Sequence, residues 1–135
     1  MVSILVNLIK GNRGTISAEL AIVIPALLLI LMVPLIFNLA IWAKIVVTDS
    51  SREGARYEAL NLGEPQYIVH QTLIDGNLNP DYLEQINTSE GSGYVSVQVK
   101  YSQPSIVPGL GVLFGGNLFD DTIPLSSTSV FKVEQ

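Results

Sequence analysis

The most prominent feature of the sequence is an uncharged apolar run of 24 residues from Leu20 to Ala43, in which Asn38 is the one strongly polar residue. As a helix rising roughly 1.5 Å per residue, this run would extend about 36 Å, more than the roughly 30 Å hydrocarbon core of a bilayer. The run is apolar on every side, and the rest of the chain is too short to surround such a helix. We therefore predict one membrane-spanning helix rather than a buried core helix.

The charges on the two sides of this run differ in sign. Lys10 and Arg13 lie on its N-terminal side, whereas acids dominate from Lys44 onward. By the positive-inside rule, the N-terminus is cytoplasmic and the C-terminal part lies outside. The run is also longer than the roughly 7–15-residue apolar region of a secretory signal peptide. We expect a single-pass protein of the cytoplasmic (inner) membrane with an extracytoplasmic C-terminal domain.

Composition argues against several classes of function. Seven Lys and Arg against twelve Asp and Glu give a net charge of −5, which is unfavourable for binding nucleic acid. The chain has no cysteine, and His70 is its single histidine, so neither a thiolate metal site nor a histidine cluster can form. We predict no catalytic residue, no metal site, no cofactor and no enzymatic activity.

A polar helical pattern continues beyond the apolar run. No proline interrupts residues 44–60, and Leu62-Gly63 is a plausible end for the helix. We predict one helix from about Thr15 to Leu60, with its first part in lipid and its second part outside.

The second part of this helix carries two pairs of opposite charge, Asp49 with Arg52 and Glu53 with Arg56. Their i,i+3 spacing is worth a few tenths of a kcal/mol per pair. Arg52 and Arg56 share a face. This charged stripe either is solvated or packs on the domain's own acids, or it binds an acidic partner or phosphate. Gly54 costs about 1 kcal/mol in a helix interior relative to alanine, so we expect another backbone to pack closely there.

The C-terminal sequence predicts a short helix and an antiparallel pair of strands. The helix begins at Pro65 and ends at Gly76. Strict alternation makes Val95–Tyr101 the clearest strand, and residues 122–133 are its partner. Pro124 confines the start of that partner to an edge or to a strand beginning. Three apolar residues of the partner strand share one face: Leu125, Phe131 and Val133.

Two further segments leave alternatives open. Residues 82–88 form either a first strand or a one-turn helix after Asn79-Pro80. Residues 102–121 combine prolines and glycines with apolar side chains, so they either cover the sheet or dock on a partner. The predicted fold class is α+β: a long N-terminal helix, membrane-spanning and then polar, packed on a small antiparallel sheet.

Three parts of the sequence resemble a known family. The basic residues Lys10 and Arg13 precede Gly14, Thr15 follows it, and Glu19 is the fifth residue after the glycine. This arrangement resembles the type IV prepilin signal. Arg52-Glu53-Gly54-Ala55-Arg56 resembles the "REGAR" signature of TadE-like proteins, the minor pilins or pseudopilins of tight-adherence (Flp-type) pilus systems. The strand at residues 95–101 and the glycine-rich residues 108–116 resemble the C-terminal part of that family.

The resemblance implies a division of the chain and a set of partners. Residues 1–14 would be a leader removed by a prepilin peptidase, residues 15–43 the transmembrane and assembly helix, and residues 44–135 the extracytoplasmic domain. The implied partners are membrane lipid, the peptidase, other pilins or pseudopilins and the pilus assembly platform. Glu19 would take part in processing or assembly.

The charge of Glu19 at the edge of the apolar run also leads us to expect a role in assembly. A buried acid at the edge of the hydrocarbon costs about 3 kcal/mol on insertion scales, so it requires a partner. Cleavage after Gly14 would create a positively charged amino group at Thr15, which could pair with Glu19 of a neighbouring subunit. Alternatively, Glu19 is solvated in the headgroup layer. A different function also remains open: a permanently anchored single-span protein whose outer domain binds a ligand or partner.

Overall fold

In the computed structural model, the described residues are 2–105, 112, 115–116 and 121–133, of which 2–15 are described by their backbone. The chain divides into two compact units, Met1–Phe37 and Asn38–Gln135. Its elements, in order, are helix α1 (Val2–Ala59), helix α2 (Pro65–Asp75), a 3₁₀ turn (Pro80–Tyr82) and strands β1 (Leu83–Gly91), β2 (Tyr94–Pro104) and β3 (Thr122–Lys132). The predicted α+β class is confirmed.

The first unit is helical, and helix α1 begins at Val2 rather than near Thr15 as predicted. Sequence reasoning placed the start after the glycine, but one glycine costs a helix only about 1 kcal/mol and need not end it. Pro25 and Pro34 both lie inside α1. Every side chain from residue 16 to residue 35 is exposed.

The segment Ile16–Ala59 is long and apolar enough to cross a membrane, and only 6% of its most apolar stretch is buried. A core helix of a soluble domain would be mostly buried. This exposed apolar helix indicates a single-pass membrane protein.

The second unit contains an antiparallel three-stranded sheet in the order β1-β2-β3. The predicted alternation of β2 is confirmed, with Val95, Val97, Val99 and Tyr101 buried on one face. Strand β3 lies at an edge of the sheet, as Pro124 required, and Ser102 of β2 is opposite that proline.

The inward face of β3 differs from the prediction at one end. Ile123 and Leu125 are buried, but Phe131 is 37% exposed. The face was correctly assigned by alternation, whereas the extent of burial depends on how far the helices reach over the sheet.

The sequence left a one-turn helix or a strand open for the residues after Asn79-Pro80, and the structure contains both. The chain first makes the 3₁₀ turn, capped by the Asn79 side chain, which accepts a hydrogen bond from the Asp81 N–H at 3.1 Å. Strand β1 then follows directly. The hydroxyl of Tyr101 donates to the Asn79 carbonyl at 3.1 Å, which fixes the turn against β2.

Residues 106–111, 113–114 and 117–120 lie outside the described residues, so the predicted role of this segment as a cover or docking element stays untested. Its two ends are joined by a hydrogen bond from the Ser105 N–H to the Asp121 carbonyl at 2.7 Å.

Asparagines, not glycines, take the left-handed positions at the ends of α1 and α2. Asn61 has φ 54° and Asn77 has φ 57°. At the end of α1, the Leu62 N–H donates to the Tyr57 carbonyl at 3.1 Å and the Asn61 N–H donates to the Glu58 carbonyl at 2.9 Å. This is the Schellman pattern, in which asparagine can replace the usual glycine.

Candidate assembly site

The predicted assembly surface is the exposed part of α1 in the first unit. Large apolar side chains cover it, including Ile22 at 77% exposure and Leu29 at 68%. Glu19 is exposed within this apolar surface, one helical turn before Val23. Gly14 and Thr15 lie on the helical backbone of α1, so the predicted cleavage point is inside a helix. A contiguous apolar surface of this kind requires lipid or other helices to cover it.

In the second unit, α1 packs on the sheet through small residues. Ala40, Ala43, Val47 and Ala55 are buried. Residues spaced three or four apart lie on one side of a helix, and small ones let it approach the strands closely. This approach places the outward residues of the same helix segment in solvent.

The family-signature residues divide between these two sides. Arg52 and Arg56 point outward, with their side chains 64% and 61% exposed, and form the predicted i,i+3 pairs with Asp49 at 3.7 Å and with Glu53 at 3.8 Å. Gly54 and Ala55 point inward. The two arginines of the signature are therefore accessible to a partner, whereas Gly54 and Ala55 contribute to the packing of the domain.

Close packing at Gly54 is confirmed, but its neighbours are side chains and not the backbone that we expected. A Cβ placed on Gly54 would lie 2.8 Å from Val69 Cγ2 on α2 and 3.4 Å from Val97 Cγ1 on β2. Gly54 therefore lies where α1, α2 and the sheet meet, and its missing side chain permits their contact.

A buried serine cluster joins α1 to β3 and was missed by the sequence reasoning. Ser51 Oγ lies 3.1 Å from Ser127 Oγ and 2.8 Å from Ser129 Oγ, and it donates to the Thr48 carbonyl at 2.8 Å. The alternation of β3 places both strand serines on the same face as Leu125, which was the signal that could have revealed them.

Two side chains near the end of the apolar run are fixed to the outer domain. The Trp42 indole Nε1 donates to the Gly76 carbonyl at 3.2 Å. The Lys44 ammonium donates to the Ser126 carbonyl of β3. A Cβ on Gly76 would also clash with Val46 Cγ1, so a side chain at this helix end would displace α2 from α1.

The described residues also contain a crowded acidic group at the β1 side of the domain. Burial raises the pKa of Glu58, and repulsion from Glu90, a hydrogen bond with Glu90 and repulsion from Glu64 raise it further. Among the described residues, no three His, Asp or Glu side chains lie close enough together to hold a metal ion. The sequence reasoning missed this group because Glu58 and Glu90 are far apart along the chain.

We predict that Glu58→Gln increases the free energy of unfolding at pH 7 and leaves it unchanged near pH 3.5. A carboxyl whose pKa is raised on folding binds its proton more tightly in the folded state, so folding is penalised above that pKa. The penalty disappears as the pH falls through the folded pKa of Glu58. Denaturation of the full chain in detergent micelles, followed by the circular dichroism of the sheet, measures the difference.

The double variant with Glu90→Gln controls for this interpretation. Because Glu90 contributes part of the shift, Glu58→Gln should stabilise the Glu90→Gln background less than the wild-type chain. An equal gain at both pH values would contradict the account.

Comparison with known proteins supports the resemblance found in the sequence. The family model described as "TadE-like protein" matches residues 14–56. This range runs from the predicted cleavage point to Arg56, the last residue of the REGAR signature. No curated protein and no solved structure gave a significant match to the chain. Residues 14–56 are thus similar to TadE-like proteins.

Proposed function

We propose that the chain is a minor pilin or pseudopilin of a tight-adherence (Flp-type) pilus system or a related secretion machine. The observation that carries this proposal is the TadE-like match over residues 14–56. It is supported by the exposed apolar surface of α1 over residues 16–35, which a subunit inserted first in lipid and then among other helices requires.

In this proposal, a prepilin peptidase cuts after Gly14 in the cytoplasmic (inner) membrane. Residues 1–14 are the leader, residues 15–43 the transmembrane and assembly helix, and residues 44–135 the extracytoplasmic domain. The cut removes Lys10 and Arg13, which changes the net charge from −5 to −7. Since these two bases hold the N-terminus in the cytoplasm, their loss permits later extraction of the helix from the membrane.

Glu19 has a specific role in the proposed assembly. The new amino group at Thr15 lies four residues, or about 6 Å of helical rise, from Glu19 of the same chain. Pairing between Glu19 of one subunit and the amino terminus of another neutralises both charges in a medium where each alone is costly. The partners are other pilins or pseudopilins and the assembly platform, and the pair sets their axial register.

A deletion and complementation experiment in the native host tests the function. Cells without the chain should lack surface filaments or secretion by the machine, and the full-length chain should restore them. A Gly14→Leu chain, designed to resist the cut so that residues 1–14 stay attached and the span remains a permanent anchor, is the control and should fail. If the permanently anchored form restored the filaments fully, the alternative of an anchored binding protein would be favoured instead.

A further inference from the structure

A cleft of about 360 Å³ opens at the β3 side of the outer domain, and we name it the β3 cleft. It is lined by Arg56, Ala59, Leu60, Phe131 and Lys132. Leu60 is 49% exposed and Phe131 is 37% exposed. The cleft therefore combines an apolar surface with two cationic side chains.

The positive charge of the cleft is available to a partner. Arg56 contacts Glu53 at 3.8 Å, but the two side chains are 61% and 46% exposed, and a solvated pair of this kind contributes little. If Arg56 leaves Glu53 to pair with a carboxylate that is better shielded from water, the lost contact therefore costs little free energy. A ligand for the cleft would carry carboxylates beside an apolar contact surface.

The opposite side of the same domain carries such carboxylates. Glu58, Glu64 and Glu90 form the crowded acidic group, which we name the β1 carboxylates. Glu90 and Glu64 both repel Glu58, and this repulsion is relieved when cations approach. The domain thus presents two cationic side chains at the cleft and three carboxylates in the acidic group.

The two surfaces lie at the same level of the domain. Glu90 is opposite Val95, and Val95 is opposite Phe131, so the three occupy one row across the sheet. Two strand spacings separate Glu90 from Phe131 by roughly 10 Å. On α1, Arg56 and Glu58 differ by only about 3 Å of helical rise. Two outer domains side by side, with the α1 segments of the second unit parallel, can therefore bring the two surfaces together with little axial shift.

We propose that the β3 cleft of one copy of this chain receives the β1 carboxylates of a second copy. This inference rests on the proposed assembly function and specifies which outer surfaces meet. Arg56 and Lys132 neutralise Glu64 and Glu90 of the neighbour, and Leu60 and Phe131 are covered by the contact. Because each copy keeps one cleft and one acidic group unused, the contact is heterologous and propagates into a row.

Charge reversal of each surface tests the pairing. The first variant is Arg56→Glu with Lys132→Glu, and the second is Glu64→Lys with Glu90→Lys. Each variant alone presents like charges to its own copies, whereas a mixture of the two presents opposite charges at every contact. All four positions carry exposed side chains, so the reversed chains are expected to fold.

The measurement is energy transfer between labelled full-length chains in lipid vesicles. Since the chain has no cysteine, Thr128→Cys on exposed β3 accepts a single label in every variant. We expect the association of each reversed variant to fall on the order of tenfold relative to the unreversed chain, and the mixture to recover it. Arg52→Glu with Lys100→Glu changes the net charge equally outside the cleft and should retain association.

Two results would overturn the proposal. Either both reversed variants associate like the unreversed chain, or each loses association and the mixture fails to recover it. In either case, the proposed function still holds if the unreversed chain restores filaments in the native host. Failure to restore filaments by the unreversed chain would instead remove the proposed function itself.

Discussion

Gly54→Leu is expected to destabilise the outer domain by about 3 kcal/mol or more, because its side chain has no space. A Cβ alone would lie 2.8 Å from Val69 Cγ2, and Val69 is completely buried. Small domains retain only about 5–15 kcal/mol of stability, so a loss of this size removes a large part of it. Denaturation of the full chain in detergent micelles, measured by the sheet signal in circular dichroism, gives the change.

Two variants separate the steric effect from other effects of the substitution. Glu53→Leu places the same side chain at the neighbouring outward position of α1 and should change stability by less than about 1 kcal/mol. Val69→Ala should cost less in a Gly54→Ala background than in the wild-type chain, since it removes the atom nearest to the new Cβ. Equal losses for Gly54→Leu and Glu53→Leu would show that no tight contact exists at Gly54.

Glu19→Gln is expected to reduce incorporation of the chain into assemblies on the order of tenfold or more, because in the proposed assembly it removes the charge that would pair with a neighbour's amino terminus. The side chain keeps its size and its exposed position on α1, so packing is unchanged. Quantitative immunoblotting of isolated filaments and membranes from the native host measures the incorporated fraction.

The matched control is Asn38→Gln, which alters the one strongly polar residue of the apolar run at residues 20–43 without changing charge. It should be incorporated like the wild-type chain, and Glu19→Asp should retain part of the incorporation. Normal processing and normal incorporation of Glu19→Gln would favour a solvated Glu19 in the headgroup layer.

The elements of this fold that depend on local pattern were predictable. The uncharged length of residues 20–43 indicated a spanning helix, the alternation of β2 identified its buried face, and the i,i+3 charges gave the pairs of Arg52 and Arg56. Pro65 located the start of α2. Each of these features depends on residues within a few positions of one another, so spacing alone determines them.

The features that depend on tertiary contact were not predictable. The neighbour of Gly54 is Val69, and no local pattern indicates how α2 crosses α1. Glu58 and Glu90 meet only because the hairpin of β1 and β2 reaches the end of α1. The asparagines with positive φ at the helix ends could not be predicted either. Both asparagine and glycine can end a helix, and the sequence places both nearby.

The mass of the chain in its native membrane tests the central claim most directly, because the proposed function requires that residues 1–14 be removed. The chain is isolated from its native membrane, with a strain lacking the prepilin peptidase as the comparison, and intact-mass and N-terminal analysis are applied to both. The account predicts an N-terminus at Thr15 where the peptidase is present and an uncut chain where it is absent. An uncut Met1 terminus with the peptidase present would contradict the account.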